Sequence, residues 1–146
     1  MSFYHAFEGI FASIRREKHL RFHIVIANLI AVFAYFYGIS RIEWAILIIC
    51  AASVIAAELF NTALESAVDT ATREIRPDAK LAKDAAAGAV LALSAASLLV
   101  GVCLFGNLDK IKTTLLHIFQ TPQILIPCLI LGVLDVIFLI GGKNDK

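Results

Sequence analysis

Residues 44–71 read WAILIICAASVIAAELFNTALESAVDTA. The run carries no charge as far as Ala57, and about 20 predominantly apolar residues suffice for a helix to cross the hydrocarbon of a bilayer. Beyond Ala57 the polar residues Glu58, Asn61, Glu65 and Asp69 follow at spacings of 3, 4 and 4. At about 100° per residue these positions share one helical face. The segment therefore reads as a membrane helix whose end presents two carboxylates and an amide in a column, with a third carboxylate one turn on. Charge in a membrane segment is expensive and is usually retained for a function. A cation, a proton or a substrate has to meet that column.

Outward from this helix the chain predicts an all-α membrane protein. Its 146 residues are 60% hydrophobic and its mean hydropathy is +0.82, against roughly half apolar in a soluble domain. The first span is Phe22–Ile39 (22–39), interrupted by His23 and Asn28, and the second is Trp44–Val68 (44–68). The third is Ala85–Gly106 (85–106), whose small residues in AAAGAVLALSAASLLVG allow close helix approach. The fourth is Ile124–Gly142 (124–142), containing Pro127 and Asp135.

In residues 2–16 the apolar positions Phe3, Ala6, Phe7, Ile10, Phe11 and Ile14 follow a helical period, which predicts an amphipathic helix on the membrane surface. Residues 107–121, NLDKIKTTLLHIFQT, carry a weaker version of the same pattern. A tight turn in YGISRIEW joins spans one and two, with Trp44 at the interface. In the loop TATREIRPDAKLAK, Pro77 ends any continuing helix and Asp78 is the expected cap of the next. The segment 1–106 forms one unit, followed by 107–146 as a connecting segment and an extra span.

Charge orients the spans. With the N-terminus cytoplasmic, the inner side holds Arg15, Arg16, Lys18, Arg21, Arg73, Arg76, Lys80, Lys83, Lys143 and Lys146, and the outer side only Arg41, Lys110 and Lys112. The polar column then opens toward the cytoplasm, where ATP and magnesium are available. The net charge of +1 says little about partners, and no basic tract suggests nucleic acid. Cys50, Cys103 and Cys128 are odd in number and scattered through apolar runs, so they read as structural rather than as disulfides or zinc ligands. The N-terminal stretch lacks a secretory pattern.

Three polar groups converge on that edge: the column, Glu17 with Arg21 and His23, and Lys83 with Asp84. Magnesium takes oxygen ligands, typically one or two carboxylates plus phosphate oxygens, and Glu17 and Glu65 are a candidate pair from different helices. Lys83 suits phosphate charge. Glu58, deeper and away from water, suits a general base that takes a proton from an alcohol. Phosphoryl transfer to a lipid hydroxyl needs these parts. Neither GxxxxGK[ST] nor GxGxxG is present, which excludes an ordinary soluble nucleotide fold as the source of activity.

The blocks EGIFASIRREKHLRFH, SRIEW, AAELFNTALESAVD and AKDAAAGAVLALSA resemble the small bacterial lipid kinases of the prokaryotic diacylglycerol kinase and undecaprenol kinase family, over residues 5 to about 106. The pattern E-x2-N-x3-E-x3-D followed by A-K-D is specific to it. The resemblance implies Glu58 as catalytic base and Asn61 as a positioning residue for the reacting groups. It implies ATP binding by Glu17, Glu65, Lys83 and Asp84, with Glu17 and Glu65 holding Mg2+. It further implies a homotrimer of three-helix subunits with shared sites in the bacterial inner membrane.

Glu17-x3-Arg21-x-His23, SRIEW and AAGAV look more like the undecaprenol kinases; enterobacterial diacylglycerol kinases tend to carry a carboxylate where His23 stands and a serine near Ala87. Undecaprenol is therefore the first choice of lipid alcohol and diacylglycerol the second. The loop from Glu74 to Lys80 lacks the tyrosine–histidine pair the family often shows, and the fourth span lies outside the three-helix plan.

Plainer roles compete for several residues. Glu58, Asn61 and Glu65 would also serve as a polar seam between helices. Arg21 and His23 fit interfacial snorkelling, and Arg15, Arg16 and Lys18 fit anionic-lipid anchoring. Asp69 reads as a helix-end residue, Asp135 as a helix-pairing one, and Tyr4, Tyr35 and Tyr37 as interface aromatics. An ion-coupled transporter would spread its acids through the membrane depth, whereas here they gather at one edge. A structural membrane subunit remains the other alternative.

Overall fold

The computed structural model describes residues 2–72 and 76–142. Of the inner-side basic residues, Arg73, Lys143 and Lys146 lie outside the described residues, as does Glu74. Six helices follow in order: α1 (Ser2–Arg16), α2 (Lys18–Tyr37), α3 (Arg41–Ala71), α4 (Pro77–Leu104), α5 (Leu108–Gln120) and α6 (Pro122–Ile140). No strand occurs among the described residues. α2, α3, α4 and α6 are long and apolar enough to cross a membrane, and the chain is a multi-pass all-α membrane protein. Many of its large apolar side chains face outward, with Phe60 76% and Leu91 72% exposed. Only a surrounding of lipid or protein makes such a surface stable.

Helices α2, α3 and α4 overrun the apolar spans because a hydropathy window detects the hydrocarbon crossing and not the turns that continue into the headgroups. α3 has 31 residues, about 46 Å at 1.5 Å per residue, against roughly 30 Å of hydrocarbon. Counted from Trp44 at one interface, Glu58 lies about 21 Å along the helix, still within the core. Glu65, at about 31 Å, reaches the far edge, and Asp69 lies beyond it.

The α2–α3 turn has a defined chemistry. Gly38, at φ 71°, closes α2 in the left-handed conformation and donates to the carbonyls of Ala34 and Tyr35. Ser40 then opens α3 with a capping box: its hydroxyl accepts from the Glu43 amide (3.3 Å), and its own amide donates to Glu43 Oε2 (2.6 Å). The motif SRIEW is thus a helix start. α4 departs from expectation: Pro77 is its first residue and Arg76 its N-cap, so Asp78 lies in the first turn and does not cap. Proline fits there because the first helical N–H has no partner in any case. Tyr37 also differs from its reading as an interface aromatic. It is buried against Phe33 and Phe105, with the Lys110 ammonium 4.1 Å above its ring.

α3 and α4 form an antiparallel hairpin with the most extensive packing of the molecule. α2 lies on α3 without touching α4, which leaves a groove among the three helices. α6 runs back along α2, α5 touches both at the end near Tyr37, and α1 reaches α2 and α3 at the opposite end. Within the membrane, α6 is tied to α2 by Asn28, whose amide donates to both Asp135 oxygens at 3.0 and 3.1 Å. This pair accounts for Asn28 in the first span and Asp135 in the fourth.

Asn28→Leu strands the Asp135 carboxylate, and interhelical hydrogen bonds in membranes are worth about 0.6–2 kcal/mol, with a further penalty for the unpaired buried acid. We expect a lower melting temperature in detergent. Asn28→Leu combined with Asp135→Leu should recover most of the loss, and a double variant no better than the single one would contradict the pairing.

Candidate active site

The site is built in levels along α3. At the deepest, Glu58 is buried (6% exposed) and its Oε1 lies 3.3 Å from His23 Nε2 of α2. One turn on, Asn61 Nδ2 donates to Glu65 Oε1 at 3.0 Å, the i, i+4 contact that a helix surface favours. Farther out, Asp69 accepts from Lys83 Nζ of α4 in an ion pair across the hairpin. Asp84 is exposed beside Lys83. The column is therefore continuous, each acid meeting a different partner.

Glu17 occupies the joint between α1 and α2, where it is the N-cap of α2 without a side-chain capping bond. Its carboxylate pairs with Arg16 at 3.6 Å. Because α2 and α3 are antiparallel, the level of Glu17 follows by counting from the His23–Glu58 contact. Glu17 lies six residues before His23, about 9 Å, and Glu65 seven residues after Glu58, about 10 Å, both toward the same end of the bundle. The two carboxylates share a level but join no common cluster; among the described residues no group of three or more His, Cys, Asp or Glu side chains is arranged to hold a metal.

Two buried side-chain atoms among the described residues lack a hydrogen-bond partner, Ser94 Oγ and one in the column. Asn61 Oδ1 is buried with no hydrogen-bond partner, and buried acceptors are normally satisfied. With Nδ2 committed to Glu65, the amide oxygen is left to accept from a hydroxyl or a hydrated cation. The carboxylates of Glu65 and Glu17 are the oxygen ligands that a hard ion such as Mg2+ takes, and they share a level without being gathered into one site.

The groove begins at His23 and runs toward the far end of the bundle with a volume of about 850 Å³. Ile26, Ile30 and Phe33 of α2, Val54 of α3, and Leu98 and Val102 of α4 face it. Its lining is almost wholly apolar, as hydrocarbon requires, and His23 at one end joins it to Glu58.

Arg21 was open to an interfacial reading and has another role. It is 2% exposed. Its guanidinium donates to the carbonyls of Ile14 (2.9 Å) and Arg15 (2.9 Å) at the end of α1, and to that of Leu139 (3.3 Å) near the end of α6. Two site contacts escaped sequence reasoning, His23 on Glu58 and Asp69 on Lys83. The E-x3-R-x-H spacing marks His23 as unusual but does not identify its partner. For Asp69 the only signal was its place in the column.

A buried carboxylate against a groove-lining histidine, with acids and a lysine at the adjoining edge of a helical membrane bundle, is what a membrane enzyme acting on a lipid requires. The chain matches the family model described as prokaryotic diacylglycerol kinase over residues 4–105, and it belongs to that family of lipid kinases. It is 38% identical to the undecaprenol kinase of Bacillus subtilis (strain 168) over 104 residues, covering 71% of this chain and 85% of that protein. It is 36% identical to the diacylglycerol kinase of Synechocystis sp. over 105 residues, covering 71% of this chain and 60% of that protein. No solved structure matches. The matched region ends at the last turn of α4, so α5 and α6 lie outside it.

Proposed function

We propose that this chain phosphorylates the hydroxyl of undecaprenol with ATP and Mg2+ as a homotrimer in the bacterial inner membrane, its site facing the cytoplasm. The observation that carries this is a buried Glu58 held against His23, which lines one end of an apolar groove, in a chain of the lipid kinase family. The lipid chain lies in the groove and its hydroxyl reaches Glu58, which takes the proton as the oxygen bonds to the γ-phosphorus. The bond from that phosphorus to the β,γ-bridging oxygen breaks and ADP leaves. Asn61 Oδ1 accepts from the hydroxyl or from a hydrated cation and so fixes the geometry. Lys83, released from Asp69, neutralises phosphate charge with Asp84 beside it, and the basic residues of this edge favour the cytoplasmic side. Glu17 and Glu65 would hold Mg2+, which would supply charge neutralisation for the phosphoryl group when bound.

Diacylglycerol is the second reading, carried by the Synechocystis relative. Undecaprenol is preferred on the His23 and SRIEW features and on the fuller coverage of the undecaprenol kinase. A competition assay offering both lipids in one micelle with Mg-ATP tests this. Undecaprenyl phosphate should accumulate first. Predominant phosphatidate would move the assignment to diacylglycerol, and phosphorylation of neither would overturn the proposed activity.

A further inference from the structure

We infer that His23 is a positioning residue of the phosphoryl-transfer site, which orients the Glu58 carboxylate and relieves it of the proton taken from the lipid. The inference rests on Glu58 as the base and adds a residue to that reading. His23 Nε2 lies 3.3 Å from Glu58 Oε1, with the two side chains 21% and 9% exposed. The same imidazole lines the groove, so it borders both the carboxylate and the place where the acceptor chain would lie. The Phe22 ring stands edge-on to it, with centroids 5.8 Å apart at 74°.

The chemistry needs such a group. Once Glu58 has accepted the hydroxyl proton it is a neutral acid in a dry segment, and it must become a carboxylate again before the next turnover. Water reaches this level poorly, and a buried charge without a partner is costly. Histidine is the side chain that both donates and accepts near neutral pH. With the ring in its Nδ1–H tautomer, the proton passes from Glu58 Oε1 to the free Nε2. The imidazolium then releases its Nδ1 proton to water at the nearer edge, which leaves Nε2–H to donate to the restored carboxylate until exchange with water resets the tautomer. The lipid O–H bond is broken once, one P–O bond forms and one breaks, and nothing is oxidised.

The surroundings leave this pair largely to itself. From α3, Glu58 is the charged group against His23. Arg21, on α2 itself, is committed to three carbonyls. Asp135 of α6 is held by Asn28, Glu17 pairs with Arg16 at the end of α1, and Lys110 of α5 sits over Tyr37 at the opposite end.

His23→Gln in the full chain keeps a polar group of similar reach but cannot carry the proton. In a micelle assay we expect kcat to fall about 10–100-fold, the loss typical when a partner that orients a reactive ligand is removed. KM for lipid and ATP should stay near the native values, and the acid limb of the kcat–pH profile should move. Added imidazole should partly restore His23→Ala. Native kcat and pH profile in His23→Gln, with Glu58→Gln inactive, would overturn this inference alone. An active Glu58→Gln would overturn the base assignment and this inference with it. Should the His23 variants fail to fold, ¹⁵N NMR of the His23 ring in the native chain and in Glu58→Gln decides: a shifted Nε2 resonance supports the contact, and an unmoved one overturns it.

Discussion

Glu58→Gln should abolish lipid phosphorylation, lowering kcat by about 10²–10⁴-fold, the usual contribution of a positioned general base. The substitution keeps the size of the side chain and its capacity to accept a hydrogen bond from His23, and removes only the ability to take a proton. Glu58 is the one column residue that lies both within the hydrocarbon level and against the groove-lining His23. Glu65 and Asp69, farther along α3, are satisfied by Asn61 and Lys83 and stand where phosphates would be met. The loss should therefore fall on kcat, with KM for Mg-ATP nearly unchanged, whereas Glu65→Gln should raise the magnesium requirement. A polar-seam role predicts the reverse for Glu58→Gln, a dissociated oligomer with chemistry intact in whatever remains assembled. Parallel measurement of turnover and cross-linked oligomer in micelles separates the two. Full turnover in Glu58→Gln would remove it as the base.

The elements of this fold were legible because each rests on a one-dimensional signal. Four apolar stretches long enough to cross hydrocarbon, the amphipathic period of residues 2–16, and a column at spacings of 3, 4 and 4 all appear as periodicity or composition, and the helices formed there. The pairing between helices was not legible. Whether Asp135 meets Asn28, or Lys83 meets Asp69, depends on which faces pack, at what crossing angle and in what register, and none of these has a local signature. Tyr37 shows the same limit. Its aromatic character suited a membrane interface equally well, and only the approach of α5 and Phe105 buries it. The start of α4 was misjudged by one residue pattern, because proline both ends a helix and begins one, and the flanking Asp78 serves in either case.

The fourth span is the part the family pattern does not describe, and its C-terminal end meets Arg21 of α2. Arg21→Ala should release both helix ends that meet it. A helix leaves its last carbonyls without intrahelical donors and gathers partial negative charge there. Arg21 answers both needs for α1, through Ile14 and Arg15, and for α6 through Leu139. Its guanidinium lies so near Gly142 that a Cβ at that position would run into it. Hydrogen bonds from a charged donor are individually worth about 1.5–3 kcal/mol, and because three that share one group do not add, we expect a total loss of about 3–5 kcal/mol, as for breaking a buried ionic contact. Arg21→Lys should recover only part of it, since one ammonium does not span two helix ends as a planar fork does. Hydrogen exchange at residues 9–16 and 136–142 should accelerate together in Arg21→Ala, with a lower melting temperature in detergent. Because α1 ends at Arg16, beside Glu17, loosening it should also disturb the carboxylate proposed to hold Mg2+ without touching the Glu58–His23 contact, so KM for Mg-ATP should rise more than kcat falls. Unchanged exchange at both helix ends would show that α6 is held by Asp135 and lipid alone.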